Sequence, residues 1–138
     1  MPSAIDFLRQ KGLKVTSQRV AVLKVLLARS KPMVLSDLQD TLGHAINRVT
    51  LYRVLNLLEK ENLIRLFYSL EGQKFVEAKA AHTPDYTTPP ESHKHVHFQC
   101  RSCDHVFCLD DVLIKGLPEG FKLLIDKTVL AGLCKACK

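Results

Sequence analysis

Apolar residues recur at helical spacing in four early stretches of the chain. In IDFLRQKGL, Ile5 and Leu8 stand three apart and Gly12 closes the segment, which predicts a short helix. TSQRVAVLKVLLARS offers Thr16 as an N-cap, with Val20, Leu23 and Leu27 repeating behind it. SDLQDTLG predicts a third helix, capped by Ser36 and stopped by Gly43. NRVTLYRVLNLLEKENL is the strongest amphipathic pattern. Leu51, Val54, Leu55 and Leu58 form its apolar stripe, and Arg48, Tyr52, Arg53 and Asn56 are left for the other face.

The pattern then changes period. LIRLFYS and KFVEA are β-rich runs on either side of Glu71-Gly72, a hairpin signal. Short helices, the last with a basic outer face, followed by a hairpin, predict a winged helix over residues 1–80. AKAAHTPDYTTPPES is rich in Ala, Thr and Pro, and Pro84, Pro89 and Pro90 exclude a continuous helix or central strand. Residues 81–92 therefore read as a linker or hinge. Beyond it, HVHFQC, HVFCLD and FKLLIDKTVLAGLC read as strands of a second, small domain over 93–138. The fold class expected is α+β.

Charge changes this picture in one place. Formal net charge is +6, and residues 1–53 alone hold nine Lys/Arg against Asp6, Asp37 and Asp40. From residue 54 onward acidic and basic side chains balance, so the whole excess lies on the helical part. A local basic surface points to a polyanion, most often nucleic acid, whereas the bland reading is a solubilising bias. On a recognition helix, Arg and Asn can reach base edges while Lys and Thr hold phosphates. Hydrophobic content of 46% is ordinary for a globular protein, and no apolar run approaches the roughly 18–20 residues that span a bilayer. No secretory leader pattern opens the chain, so the expected location is the cytoplasm, with no membrane partner.

Cysteine and histidine spacing carries the chemistry. Cys100 and Cys103 form one CxxC, and Cys134 and Cys137 form another. Two such pairs complete a tetrahedral four-thiolate zinc site, and a reducing location disfavours the competing disulfides. The small second domain would have too little core alone, and structural zinc would compensate. Four thiolates saturate one ion, which leaves His93, His95, His97 and Cys108 unexplained. The three histidines alternate, so on a strand they share a face, and Cys108 on the next strand could join them in a second metal site. His82 and His105 read as structural or exposed.

These segments together resemble the ferric uptake regulator family of metal-dependent bacterial repressors. GLKVTSQRVAVLKVL is similar to its opening helix, RVTLYRVLNLLEKENLIRL to its recognition helix, HVHFQCRSC to its HxHxxCxxC strand and GLCKAC to its closing CxxC. The resemblance implies a homodimer. Two winged helices would grip a double-stranded operator with dyad symmetry, small C-terminal α/β domains would pair, and a regulatory metal would sit at the hinge. It places Tyr52 and Arg53, with Thr50 and Arg48 beside them, where the family contacts DNA, and Lys14 and Arg19 where it touches the backbone or minor groove. It places Glu77 as the hinge carboxylate ligand, with His95 and His97 as strand ligands. Cys108 falls where iron and peroxide sensors usually carry a carboxylate.

Departures from the family pattern sharpen the expectation. The usual His before the third helix is missing, with Met33 near the slot; His44 is the candidate replacement. A further family metal site is lost, because its positions hold Val96, Lys115 and Asp126. Gly116, Pro118 and Gly120 curtail the helix that usually follows the second strand. A thiolate among imidazoles favours zinc over iron(II) as the regulatory ion. The expected function is thus a zinc-responsive repressor without catalytic activity or small-molecule substrate, and an iron(II)-responsive repressor is the main alternative. Two others belong to different classes: a DNA-binding module with structural zinc only, and a zinc hydrolase, which would need an open coordination position and a general base.

Overall fold

The computed structural model describes residues 2–29, 31–79, 95–110, 112 and 114–138. The linker expected at 81–92 and the side chains of His82 and His93 lie outside them.

Four helices fold as the apolar spacing requires. Helix α1 (Ala4–Gln10) starts with a capping box in which Ser3 and Asp6 exchange hydrogen bonds. Helix α2 (Ser17–Leu27) is capped by Thr16, whose hydroxyl accepts the amide of Arg19 at 3.2 Å. Its buried face is Val22, Leu23 and Leu26, so Val20 and Leu27 of the expected stripe are only half-buried. The short strand β1 (Met33–Val34) runs directly into α3 (Leu35–Leu42). Ser36 is therefore not the cap of α3. The cap position is Val34, which has no side-chain acceptor, and Leu35 and Leu38 anchor the helix in the core instead.

Helix α4 (Arg48–Lys60) buries Leu51, Val54, Leu55 and Leu58, each under 8% exposed. Asn47 caps it by accepting the amide of Thr50 at 2.8 Å. Asn47→Ala removes that acceptor, and thermal or urea unfolding should show a loss of about 1 kcal/mol. Strands β2 (Ile64–Tyr68) and β3 (Lys74–Ala78) form the wing hairpin, and β1 pairs with β3 in the order β1-β3-β2. Together with the core of α1–α4 this is a winged helix.

The second sheet has the order β5-β4-β6, from β4 (His95–Cys100), β5 (Val106–Asp110) and β6 (Val129–Gly132). β5 is antiparallel to β4, and β6 is parallel to it. The long strand expected over FKLLIDKTVLAGLC is mostly not a strand: Ile125–Lys127 is a 3-10 turn and only Val129–Gly132 pairs. A tertiary tie overrides β-propensity there. Lys127 Nζ donates to the carbonyl of Leu66 on β2 at 2.6 Å and to Glu59 Oε2 at 3.2 Å. Among the described residues of this part, the helical component of the expected α/β domain is that single 3-10 turn.

The two sheets pack against each other. Phe67, Phe75 and Val106 are buried together, with Val34 and Val129 packed against them. Polar contacts join the wing tip to the centre strand of the second sheet. The amide of Leu70 donates to Gln99 Oε1 at 3.0 Å, and Glu71 accepts from both Gln99 and Arg101 at 2.5 Å.

Candidate metal centres

The four cysteines of the two CxxC pairs converge. Their sulfur atoms all lie within 4.8 Å of one another, and Cys103 and Cys134 sulfurs are 3.8 Å apart. The local backbone explains how. β4 ends at Cys100 in a tight turn, with Asp104 at φ 61° and its amide donating to the carbonyl of Cys100 at 2.9 Å. Parallel pairing sets Gly132 against Cys100 and so delivers Cys134 and Cys137 to the same corner. A Cβ on residue 132 would lie 2.7 Å from the Phe98 ring, so only glycine fits that crossing without displacement.

The donor set suits a thiophilic cation. Amide hydrogen bonds from Cys103 and Cys134 outweigh burial and hold the Cys100 thiol down to about 6. Cys137 is pushed up to about 12, chiefly by its hydrogen bond to Cys134. Four clustered thiols without a cation cannot all ionise, so Cys100 is favoured as thiolate while Cys103 and Cys137 are pushed up. A divalent ion removes that conflict. His105, read from sequence as structural or exposed, has Nδ1 3.3 Å from Cys103 Sγ and supports this corner.

A second cluster bridges the two sheets. Glu77 comes from β3 of the wing, His97 from β4 and Cys108 from β5, where His97 and Cys108 are directly paired. His97 Nε2 is 2.6 Å from Glu77 Oε1, and the Cys108 thiol donates to Glu77 Oε2 at 2.9 Å. Arg65, opposite Glu77 on β2, donates from Nη1 to Oε1 at 2.9 Å. Burial opposes the charge on Glu77. His97, Arg65 and Cys108 outweigh it and hold the carboxyl at about 2, so it is an anion. The His97 ring stacks on Phe67 with centroids 3.6 Å apart and planes 13° from parallel, which fixes its orientation.

One nitrogen, one sulfur and one carboxylate, with His97 and Glu77 buried and Cys108 half-buried, form a donor set fit for a borderline or soft divalent cation. The sequence profile of the ferric uptake regulator family matches residues 10–122. The chain belongs to that family. It is a metal-responsive transcriptional regulator and not an enzyme. The match ends before the second CxxC, so the closing pair stands on the geometry above. The ferric uptake regulation protein of Campylobacter jejuni is 28% identical over 142 residues, covering 94% of this chain and 83% of that protein. The fold is shared with the ferric uptake regulator of Pseudomonas aeruginosa, solved with manganese (TM-score 0.61, 24% identity, 96% of this chain and 98% of that one). It is shared too with that of Helicobacter pylori, described as having three functional metal-binding sites (TM-score 0.60, 21% identity, 95% and 86%).

Among the described residues, one further expected ligand, His44, is not brought to the trio. His44 is exposed in the 3-10 turn Gly43–Ala45, before α4, and belongs to neither cluster. The backbone of His95 pairs with Asp110, two residues along from His97–Cys108, while its side chain, like all of His93, is outside the described set. Met33 is spent in β1, paired with Val76.

Of the residues expected to contact DNA, Arg48, Thr50, Tyr52 and Arg53 lie on α4, Lys14 lies just before α2 and Arg19 lies in its first turn. Arg48 and Arg53 are exposed, and Thr50 and Tyr52 are half-buried. Arg48 lies 5.7 Å from the centre of the Tyr52 ring, and Lys74 of the wing lies 5.9 Å from it. Lys14 is exposed, and its carbonyl accepts from Arg19 Nη1 at 2.8 Å, which orders the approach to α2. Arg65 and Phe67 were not singled out in the sequence, though the hairpin register that opposes Arg65 to Glu77 was a usable signal. Among the described residues no helix is long and apolar enough to cross a membrane.

Proposed function

We propose that this chain is a zinc-responsive homodimeric repressor of the cytoplasm that binds a dyad operator when Glu77, His97 and Cys108 hold a regulatory ion. On this reading residues 1–80 form the DNA-binding domain, 81–92 the hinge and 93–138 the dimerisation domain. The observation that carries it is the origin of the three donors: Glu77 is on the wing, while His97 and Cys108 are on the second sheet.

Cys100, Cys103, Cys134 and Cys137 would hold a structural zinc, which supplies folding energy. At the trio a divalent ion would supply a strong link between wing and second sheet. The chain's own residues do the rest. Glu77 holds its negative charge ready, Phe67 orients the imidazole, and Arg48, Thr50, Tyr52 and Arg53 present the groove-reading face, with Lys14 and Arg19 set for the phosphates. An ion that binds the DNA-competent arrangement better than the open one shifts the population between them, and a few kcal/mol changes occupancy by orders of magnitude. Sulfur in the trio supports zinc. The carboxylate supports iron(II) as the competing reading.

The test is operator binding by chelated protein, titrated with zinc and with iron(II) under anaerobic conditions. Two ions per chain are expected, one of which survives mild chelation, with tight operator binding only when both are present. A single ion, and operator affinity indifferent to chelator, would leave a DNA-binding module with structural zinc only. In the same assay Arg53→Ala should weaken specific binding by about 1–3 kcal/mol, and affinity should fall steeply with salt as phosphate contacts release counterions.

A further inference from the structure

The contact between Arg65 and Glu77 bears on which ion the trio accepts, and the inference rests on reading Glu77, His97 and Cys108 as the regulatory ligands. Arg65 is 5% exposed and stands directly opposite Glu77 in the wing hairpin. Its guanidinium retains its charge at any working pH. Arg65 Nη1 and His97 Nε2 both lie at Glu77 Oε1, at 2.9 and 2.6 Å, whereas Oε2 takes the Cys108 thiol at 2.9 Å. The two oxygens therefore have different duties. Oε1 is on the arginine side, and Oε2 is on the thiol side.

We propose that Arg65 is a positioning residue that sets the metal preference of the trio: by holding Oε1 it limits Glu77 to one donor oxygen. One oxygen, one imidazole nitrogen and one thiolate make a low-coordinate set with sulfur in it. Zinc accepts four ligands in such a set, whereas manganese(II) and iron(II) draw more of their binding from oxygen and prefer six. A two-oxygen grip by Glu77 would serve them, and Arg65 denies it. The arginine's positive charge disfavours every dication alike, so it lowers affinity without choosing among metals. The choice comes from the hold on Oε1.

The ratio of zinc to manganese(II) affinity isolates that effect. It is measured by competition titration of full-length protein carrying one zinc in its four-cysteine site. His97→Ala and Cys108→Ala should each abolish the second site; if wild type binds no second ion, or binding survives both changes, the trio is not the site and the inference falls with it. If the trio holds, Arg65→Met should shrink the zinc-over-manganese preference by about tenfold or more. Arg65→Lys, which keeps a cationic donor for Oε1, should stay within about threefold of wild type. An unchanged ratio in Arg65→Met would overturn the role of Arg65 while leaving the site intact. Cobalt(II) at the second site gives a readout in the unmutated protein, should the Met variant not fold. Intense four-coordinate ligand-field bands with a sulfur charge-transfer band are expected, and a weak six-coordinate spectrum would overturn the proposal.

Discussion

Cys134→Ser will remove the structural ion and unfold the second sheet while the helices stay folded. Among the described residues of that sheet and its flanks, the buried apolar side chains are Val96, Cys100 and Val106. At about 1.5–3 kcal/mol for each fully buried aliphatic side chain, that core supplies only a few kcal/mol. A structural zinc supplies about 10–16 kcal/mol at neutral pH, so the ion decides whether the sheet forms. The winged helix has its own core, built around Leu8, Leu23, Leu38, Leu51 and Leu58, and does not depend on the ion. Hydrogen exchange separates the two parts. Amides of β4 should lose protection by orders of magnitude, those of α2 and α4 should keep theirs, and bound zinc should fall by one per chain. Full protection of β4 in the variant would mean that side-chain packing alone holds the sheet.

Glu77→Ala will destabilise the ion-free protein by about 3–5 kcal/mol, because it breaks a buried ion pair with the Arg65 guanidinium. On the proposed reading it also removes one regulatory ligand, so both urea stability and binding of the second ion should drop. Most exposed substitutions would change neither. The pH dependence has a definite sign. The Glu77 carboxyl is lowered from 4.5 to about 2 by His97, Arg65 and Cys108 against the opposing effect of burial. Its contribution is therefore fully present above pH 4.5 and is lost as pH falls towards 2. Ion-free wild type should weaken over that window. Glu77→Gln should be weaker at pH 7 and should lack that part of the acid decline. Parallel acid limbs in the two proteins would show that Glu77 is not the titrating group.

The legible parts of this molecule are those in which spacing alone determines geometry. The stripe of α4 follows from a 3.6-residue period, and all four of its predicted residues are buried. The CxxC pairs announce themselves because a two-residue gap fits a turn around one ion. His97 and Cys108 were legible as neighbours because both lie on adjacent strands of one hairpin. Contacts between the sheets were not legible. The stacking of Phe67 on His97 and the tie from Lys127 to Leu66 depend on how two sheets dock, which no local pattern encodes. The same tie explains why a β-rich run around Ile125 turns instead of pairing. Ser36 misled for a related reason: burial of Leu35 and Leu38 starts α3 two residues earlier than the best capping side chain would.

The strand order β5-β4-β6 also sets a schedule for folding. β4 and β5 are joined by a tight turn, and such hairpins close in about 1–10 μs. β6 must return from much further along the chain to pair in parallel, and distant contacts of that kind form late. An early hairpin thus displays His97, Cys100, Cys103 and Cys108 together before Cys134 and Cys137 arrive. On the proposed reading, donors for two different ions share one small surface during that interval. The nascent protein must keep them from claiming the same ion until its last strand is in place.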